Sequence, residues 1–295
     1  MSALAQRHGW DDRAPLIVSE IARLAVEALR LEVDTYPKPG LVSHVDSGSH
    51  ADMNAGTFRA SARALAPFFD ELACAGAAGA GMSALRRIGI EAETAMRQAT
   101  GGVNTHRGAI FGLGLLTSAA GALSSAARAF AAGTCRLRPG ALGRHVRDHH
   151  GAAILAGPIM LHAPGAVARR RYGVGGAPAE AAAGFPTLYA VGLPALHRAR
   201  QRRPGDEEAA RVEACFTLIA ELEDTNLLHR GGEAGYAFAR ASAAAFLADG
   251  GVARTDWRAR AEAIHHDFVA RRLSPGGSAD LLAMTLFVDA LEASP

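Results

Sequence analysis

The chain reads as all-α, a single globular multi-helix domain with a buried central helix and an active site built on loops. Three observations predict it. Alanine and leucine dominate, runs of β-branched residues are scarce, and several windows carry apolar residues at the helical period of about 3.6. Pro15 opens the first helix, where a missing N–H is harmless, with Ile17, Ile21, Leu24, Ala25 and Ala28 inside and Glu20, Arg23, Glu27 and Arg30 outside. Gly108 to Ala127 is uncharged but diluted by Gly112, Gly114, Ser118, Gly121, Ser124 and Ser125. That mixture predicts a buried helix packed closely on its neighbours rather than a membrane span.

Asp206 caps the next recognisable helix, with Glu207 and Glu208 in its first turn and Val212, Cys215, Phe216 and Ile219 buried. Thr255 starts another, with Trp257, Ala261, Ile264 and Phe268 in register, and Ser278 starts the last, carrying Leu281, Leu282, Met284, Phe287 and Val288. Between them, residues 34–52, 100–105, 169–186, 229–235 and 273–277 read as irregular, and residues 1–14 as a flexible N-terminal segment. No repeat at solenoid periods and no low-complexity linker divides the 295 residues, so one domain is expected.

Hydrophobic residues make up 49% and charged residues 20%, the balance of a folded protein with a sizeable core. Net charge is +2, which gives no basic field for nucleic acid. Cys74, Cys135 and Cys215 show no paired spacing, arguing against both a disulfide framework and a zinc-thiolate site. With no apolar signal segment near Met1, a cytoplasmic location is expected, without membrane attachment. A homodimer is compatible with the sequence.

Lys38 is the only lysine among 31 basic residues and sits between two prolines in Tyr36-Pro37-Lys38-Pro39-Gly40. A compact ammonium on a stiff backbone suits contact with phosphate oxygens, although a Pro-Lys-Pro-Gly turn can equally display a solvated side chain. Residues 34–52 also gather Asp46, His50 and Asp52, a set able to hold a hard cation such as magnesium or else to form a surface loop rich in Asx turns.

Gly101-Gly102-Val103-Asn104-Thr105-His106-Arg107 leads into the buried helix. Asn104 or Thr105 is the N-cap, and His106 and Arg107 then place cations where the helix dipole is positive, a conflict that an anionic ligand would offset. Glu221 to Gly232 reads as the tail of the helix begun at Asp206, closed by His229, Arg230 and Gly231. Asp224 and Asn226 are unexplained there, because an acid near a C-terminus opposes the dipole; Asp224 is therefore a candidate base or ligand. The loop Gly276-Gly277-Ser278 offers backbone amides to an anion, and Asp280 either suits the helix dipole or points into the site as an acid or metal ligand. Arg169-Arg170-Arg171 reads as a solvated run; the pairs His149-His150 and His265-His266 receive no role.

Four ordered segments, P-K-P-G-L-V with G-S-H-A-D-M, G-V-N-T-H-R-G-A-I, D-T-N-L-L-H-R-G-G and S-P-G-G-S-A-D-L-L-A, together resemble the triphosphoribosyl-dephospho-CoA synthases from Glu32 to Leu282. The form L-V-S-H-V-D-S-G-S-H is similar to the branch serving malonate decarboxylase. Arg107 stands where lysine is common in that family, and Asn54 where aspartate is common.

The resemblance implies a transferase joining ATP to 3′-dephospho-CoA with loss of adenine, its product feeding the prosthetic group of an acyl carrier protein. It implies that Lys38, His50, Asn104, His106, Arg107, Asn226, Arg230, Gly276, Gly277 and Ser278 bind substrate, and that Asp46, Asp52 or Asp224 hold magnesium. Asp224 or Asp280 is then the base, with Glu32 in support. The rival readings are a magnesium-dependent hydrolase of nucleotide-sugar bonds and a non-catalytic helical module that binds polyanions.

Overall fold

The computed structural model describes residues 14–126, 137–158 and 162–292, with the side chains of residues 14–17 and 126 excepted. Residues 1–13, the Ile17 side chain, Ala127 and Cys135 therefore lie outside the described residues. Twelve α-helices and no strand occur among the described residues. They are α1 (Ala14–Val33), α2 (Ala55–Ala77), α3 (Met82–Ala99), α4 (Arg107–Ala126), α5 (Ala141–Leu155), α6 (Pro164–Tyr172), α7 (Gly176–Ala182), α8 (Leu193–Arg202), α9 (Glu207–Glu221), α10 (Thr225–Ala248), α11 (Trp257–Ala270) and α12 (Gly276–Leu291). A π-helical turn, Leu188–Gly192, runs straight into α8.

Two helices share the centre. In α12 every residue from Leu281 to Val288 is buried, all round the helix, which is the pattern of a helix with no solvent face. It packs on α4, α1 and α9. By length and composition alone α4 is apolar enough to cross a membrane, and 67% of that stretch is buried inside the protein, as in a core helix. Its small residues bring α2 unusually close. A Cβ added at Gly121 would stand 2.0 Å from the Ala73 carbonyl oxygen, and one at Gly76 would stand 1.8 Å from that of Ser118. The outer face of α1 is as expected, with Arg23 on Glu20 and Arg30 on Glu27 and Asp34.

The Asp206 cap is present, its Oδ1 accepting the Ala209 N–H at 3.0 Å. Starts predicted at Thr255 and Ser278 fall within two residues of Trp257 and Gly276. Two expectations are corrected. Residues 169–186 are mostly helical, in α6 and α7, because alanine is frequent there and Pro164 occupies a first-turn position. Residues 229–235 lie inside α10, which bends at Gly232 with φ 61° instead of ending; a glycine can interrupt a helix without terminating it when packing continues beyond it.

Gly121→Ala forces α2 and α4 apart and costs about 1–3 kcal/mol in urea denaturation. An unchanged midpoint would contradict this packing.

Candidate active site

The N-terminus of α10 leaves amides without helical partners, and Asp224 supplies them. Its Oδ1 accepts from the N–H of Asn226 at 2.9 Å and of Leu227 at 3.3 Å. Its Oδ2 accepts from the Ser278 N–H at 2.8 Å and the Ser278 hydroxyl at 3.0 Å. One buried carboxylate thus caps α10 and pins the first turn of α12. The sequence reading placed Asp224 at a C-terminus. In fact α9 stops at Glu221, Leu222 is extended, and Asp224 opens a new helix, so the dipole favours it. Burial pushes its carboxyl up and the four donors pull it back. Those donors occupy the positions that a metal or a substrate proton would need.

Lys38 is not a surface contact. It is fully buried, and its ammonium is ion-paired with Glu32, itself 5% exposed. The Lys38 carbonyl accepts from His265 Nδ1 at 2.7 Å, and His265 Nε2 meets Asp46 Oδ2 at 3.1 Å. Asp46 Oδ1 accepts the Gly48 N–H at 2.8 Å. Asp46 therefore braces the loop rather than standing open for a metal, and His265 has a bracing role that its sequence position did not announce. Gly40, at φ 66°, is forced: a Cβ there would lie 2.0 Å from the Leu273 carbonyl oxygen. Ser49 Oγ donates to that same oxygen at 2.6 Å, so residues 34–52 are stitched to residues 273–277.

These loops and the helix starts around them open on a cavity of about 1230 Å³. The structure brings Glu32, His50, Asp52, Asn104, His106, Arg107, Asp224, Asn226, Arg230, Gly276, Gly277 and Asp280 to its wall. Lys38, Asp46 and Ser278 stay behind that wall.

Asp280, one turn into α12, reaches to the first turn of α4: a Cβ at Gly108 would stand 1.9 Å from Asp280 Oδ2. Burial, then the charges of Glu32 and Asp224, hold its carboxyl well above the usual carboxylate range, against one favourable backbone contact from Ala109. Burial also raises Glu32, despite Lys38. His106 is buried, with Nδ1 2.6 Å from Ser61 Oγ, and burial lowers its pKa to about 3. It is neutral at ordinary pH, so the expected clash of two cations with the α4 dipole does not arise. Arg107 pairs with Glu93 at 3.3 Å, and Asn104 Oδ1 accepts the Arg107 N–H at 3.2 Å.

At the mouth, His50 Nε2 lies 2.9 Å from Ser274 Oγ, and Arg230 Nη2 donates to His50 Nδ1 at 3.2 Å. Asp52 is exposed and lies 3.7 Å from His50. Two lining cations escaped the sequence reading. Arg169, taken for part of a solvated run, turns inward, its Nε buried without an acceptor. Arg86 lies in no motif; only the apolar spacing of α3 could have marked its face. Among the described residues no three His, Cys, Asp or Glu side chains converge to hold a metal ion.

The cavity lies among the starts of α4, α10 and α12 in an all-α fold and is lined by both carboxylates and guanidiniums. Residues 18–295 match the CitG family, described as ATP:dephospho-CoA triphosphoribosyl transferase. A probable 2-(5''-triphosphoribosyl)-3'-dephosphocoenzyme-A synthase of Stutzerimonas stutzeri (strain A1501) is 41% identical over 300 residues, spanning 99% of this chain and 96% of the relative. A protein of the same description from Pseudomonas paraeruginosa (strain DSM 24068 / PA7) is 42% identical over 281 residues, spanning 93% and 91%. No solved structure matches. The chain belongs to the triphosphoribosyl-dephospho-CoA synthase family.

The raised Asp280 carboxyl binds its proton more tightly folded than unfolded, so ionising it costs stability as pH rises above the ordinary value of 3.8. Asp280→Asn should therefore be more stable than the parent near pH 8, with the gap closing as pH falls toward about 4. Thermal unfolding across that range is the check, and a variant less stable at the higher pH would contradict it.

Proposed function

We propose that the protein transfers the triphosphoribosyl group of ATP to the 2′-hydroxyl of 3′-dephospho-CoA. The hydroxyl oxygen bonds to the anomeric carbon, the bond from that carbon to adenine breaks, and the product is 2′-(5″-triphosphoribosyl)-3′-dephospho-CoA. The hydroxyl loses one proton and the departing adenine takes one up, so the exchange balances. Family membership over residues 18–295 is the observation that carries this reading. The motif L-V-S-H-V-D-S-G-S-H supports assignment of the product to the acyl carrier protein of malonate decarboxylase.

Within the site, Asp280 is the carboxylate best suited to receive the hydroxyl proton. It lines the cavity, its pKa is raised, and the one contact favouring its charged form is the Ala109 amide. Glu32, backed by Lys38, supplies the neighbouring negative charge that keeps Asp280 basic and that faces an oxocarbenium-like transition state. Asp224 acts as a positioning residue: it holds Asn226, Ser278 and the Gly276-Gly277 turn in register.

Magnesium fits the charge of this cavity. Glu32, Asp52, Glu93, Glu180, Glu221, Glu223, Asp224 and Asp280 line it against only Arg86, Arg107, Arg169 and Arg230, while both substrates are polyanions. Magnesium binds through one or two carboxylates together with substrate phosphates, so a closed protein cage is not required. Of the three aspartates expected to hold it, Asp46 and Asp224 are engaged elsewhere and Asp52 is open. When bound, the ion would shield the triphosphate charge.

Purified protein with ATP, magnesium and dephospho-CoA should release adenine, measured by chromatography, in step with dephospho-CoA consumed. Release without dephospho-CoA would mark a hydrolase instead, and tight ATP binding without adenine release would mark a binding module. Asp280→Ala should lower kcat about 10²–10⁴-fold with ATP affinity little changed. Chelation by EDTA should stop release and added magnesium restore it; a full rate in EDTA would remove the metal from the account.

A further inference from the structure

One wall of the cavity is a stripe along α3 made of Met82, Leu85, Arg86, Gly89, Ile90 and Glu93. Their spacing of three, one, three, one and three residues places all six on a single helical face. The stripe starts at the reaction centre, where Glu93 holds Arg107 at the head of α4. It runs about 10 Å along the helix to Arg86 and then on to Met82.

Three features of this stripe have no explanation within the folded chain. Arg86 has no acid partner among the described residues, and its guanidinium lies against Gly157, whose added Cβ would stand 2.8 Å from Nη2. Gly89 sits in the interior of a helix, where glycine is unfavourable, yet a Cβ there would meet nothing within 4 Å and its φ is not left-handed. Neither packing nor backbone conformation calls for glycine at that position. Ile90 is 61% exposed although it borders the cavity.

A cation about 10 Å along the helix from the reaction centre, with a vacant glycine and bare apolar surface between, is the complement of a nucleoside that reacts at one end and carries its diphosphate at the other. We propose that this face of α3 is the groove for the second substrate. Arg86 binds the 5′-diphosphate of dephospho-CoA, the space kept open by Gly89 beside Ile90 takes its ribose and adenine, and the pantetheine arm runs on past Arg86 along Leu85 and Met82, beside Ile154. The direction agrees with the chemistry, since the diphosphate lies several bonds from the 2′-hydroxyl that must reach Asp280. ATP has a triphosphate but no such arm, so the groove distinguishes acceptor from donor. The inference rests on the reaction assigned above.

The test uses full-length protein with Arg86→Gln and Gly89→Phe. Both positions border open space, and Gly89→Ala, which should melt at or above the parent temperature, controls for helix formation. Each of the first two variants should raise the calorimetric Kd for dephospho-CoA about tenfold or more, the loss expected when a charged hydrogen bond or the space for the nucleoside is removed. The KM for ATP in the adenine-release assay should stay within about twofold, below the effect of one charged contact. Unchanged dephospho-CoA affinity in both variants, or a rise in the ATP KM instead, would overturn the groove. A parent protein whose dephospho-CoA binding depends on Arg86 but which releases no adenine would uphold the groove and remove the reaction.

Discussion

The site depends on how one carboxylate satisfies the starts of two helices. α10 and α12 meet at their N-termini, and without Asp224 the first amides of α10 and that of Ser278 would lose their acceptor. Asp224 takes two donors on each oxygen, two from the first turn of α10 and two from Ser278. Positive helix ends that would repel one another are held together by the negative charge between them. Because the tie ends on Ser278, it fixes Gly276 and Gly277 on one side and Asp280, two residues further along α12, on the other. The close approach of Asp280 to Gly108 then sets α12 against α4.

The electrostatics follow from that geometry. Glu32, Asp224 and Asp280 share one region, and Lys38 answers Glu32 from within the core rather than from the cavity. Asp224 is satisfied by donors, whereas Asp280 bears burial and the repulsion of both neighbours with little in return. An arrangement of this kind destabilises the free protein at one side chain, and it is the ground on which Asp280 is proposed as the base. The lining has more acids than bases, which is the charge balance behind the magnesium proposal.

Much of the fold was legible from periodicity. The Asp206 cap, the inner face of α1 and the buried helix after Arg107 follow from local rules that tertiary packing did not override. The ends of elements were less legible. The motif D-T-N-L-L-H-R-G-G looked like a helix tail because basic residues before glycine usually close a helix; here the break lies earlier, at Leu222, and Gly232 only bends α10. The site residues gathered largely as the motifs suggested, but their charge states did not follow from residue type. Lys38 and His106 read as cations for phosphate, and burial made one the partner of Glu32 and the other neutral. Arg86 and Gly89 belong to no motif, since a residue that serves an open passage leaves no local signal.

The central claim is that Asp224 and Ser278 act as one unit joining α10 to α12. A double-mutant cycle measured by urea denaturation, with Asp224→Ala, Ser278→Ala and the pair, tests it most directly. The account predicts a coupling energy of about 1 kcal/mol or more, as for groups in one buried network. Changes that add to within about 0.3 kcal/mol would show the two residues to be independent, and the tie between the helices would be lost from the account.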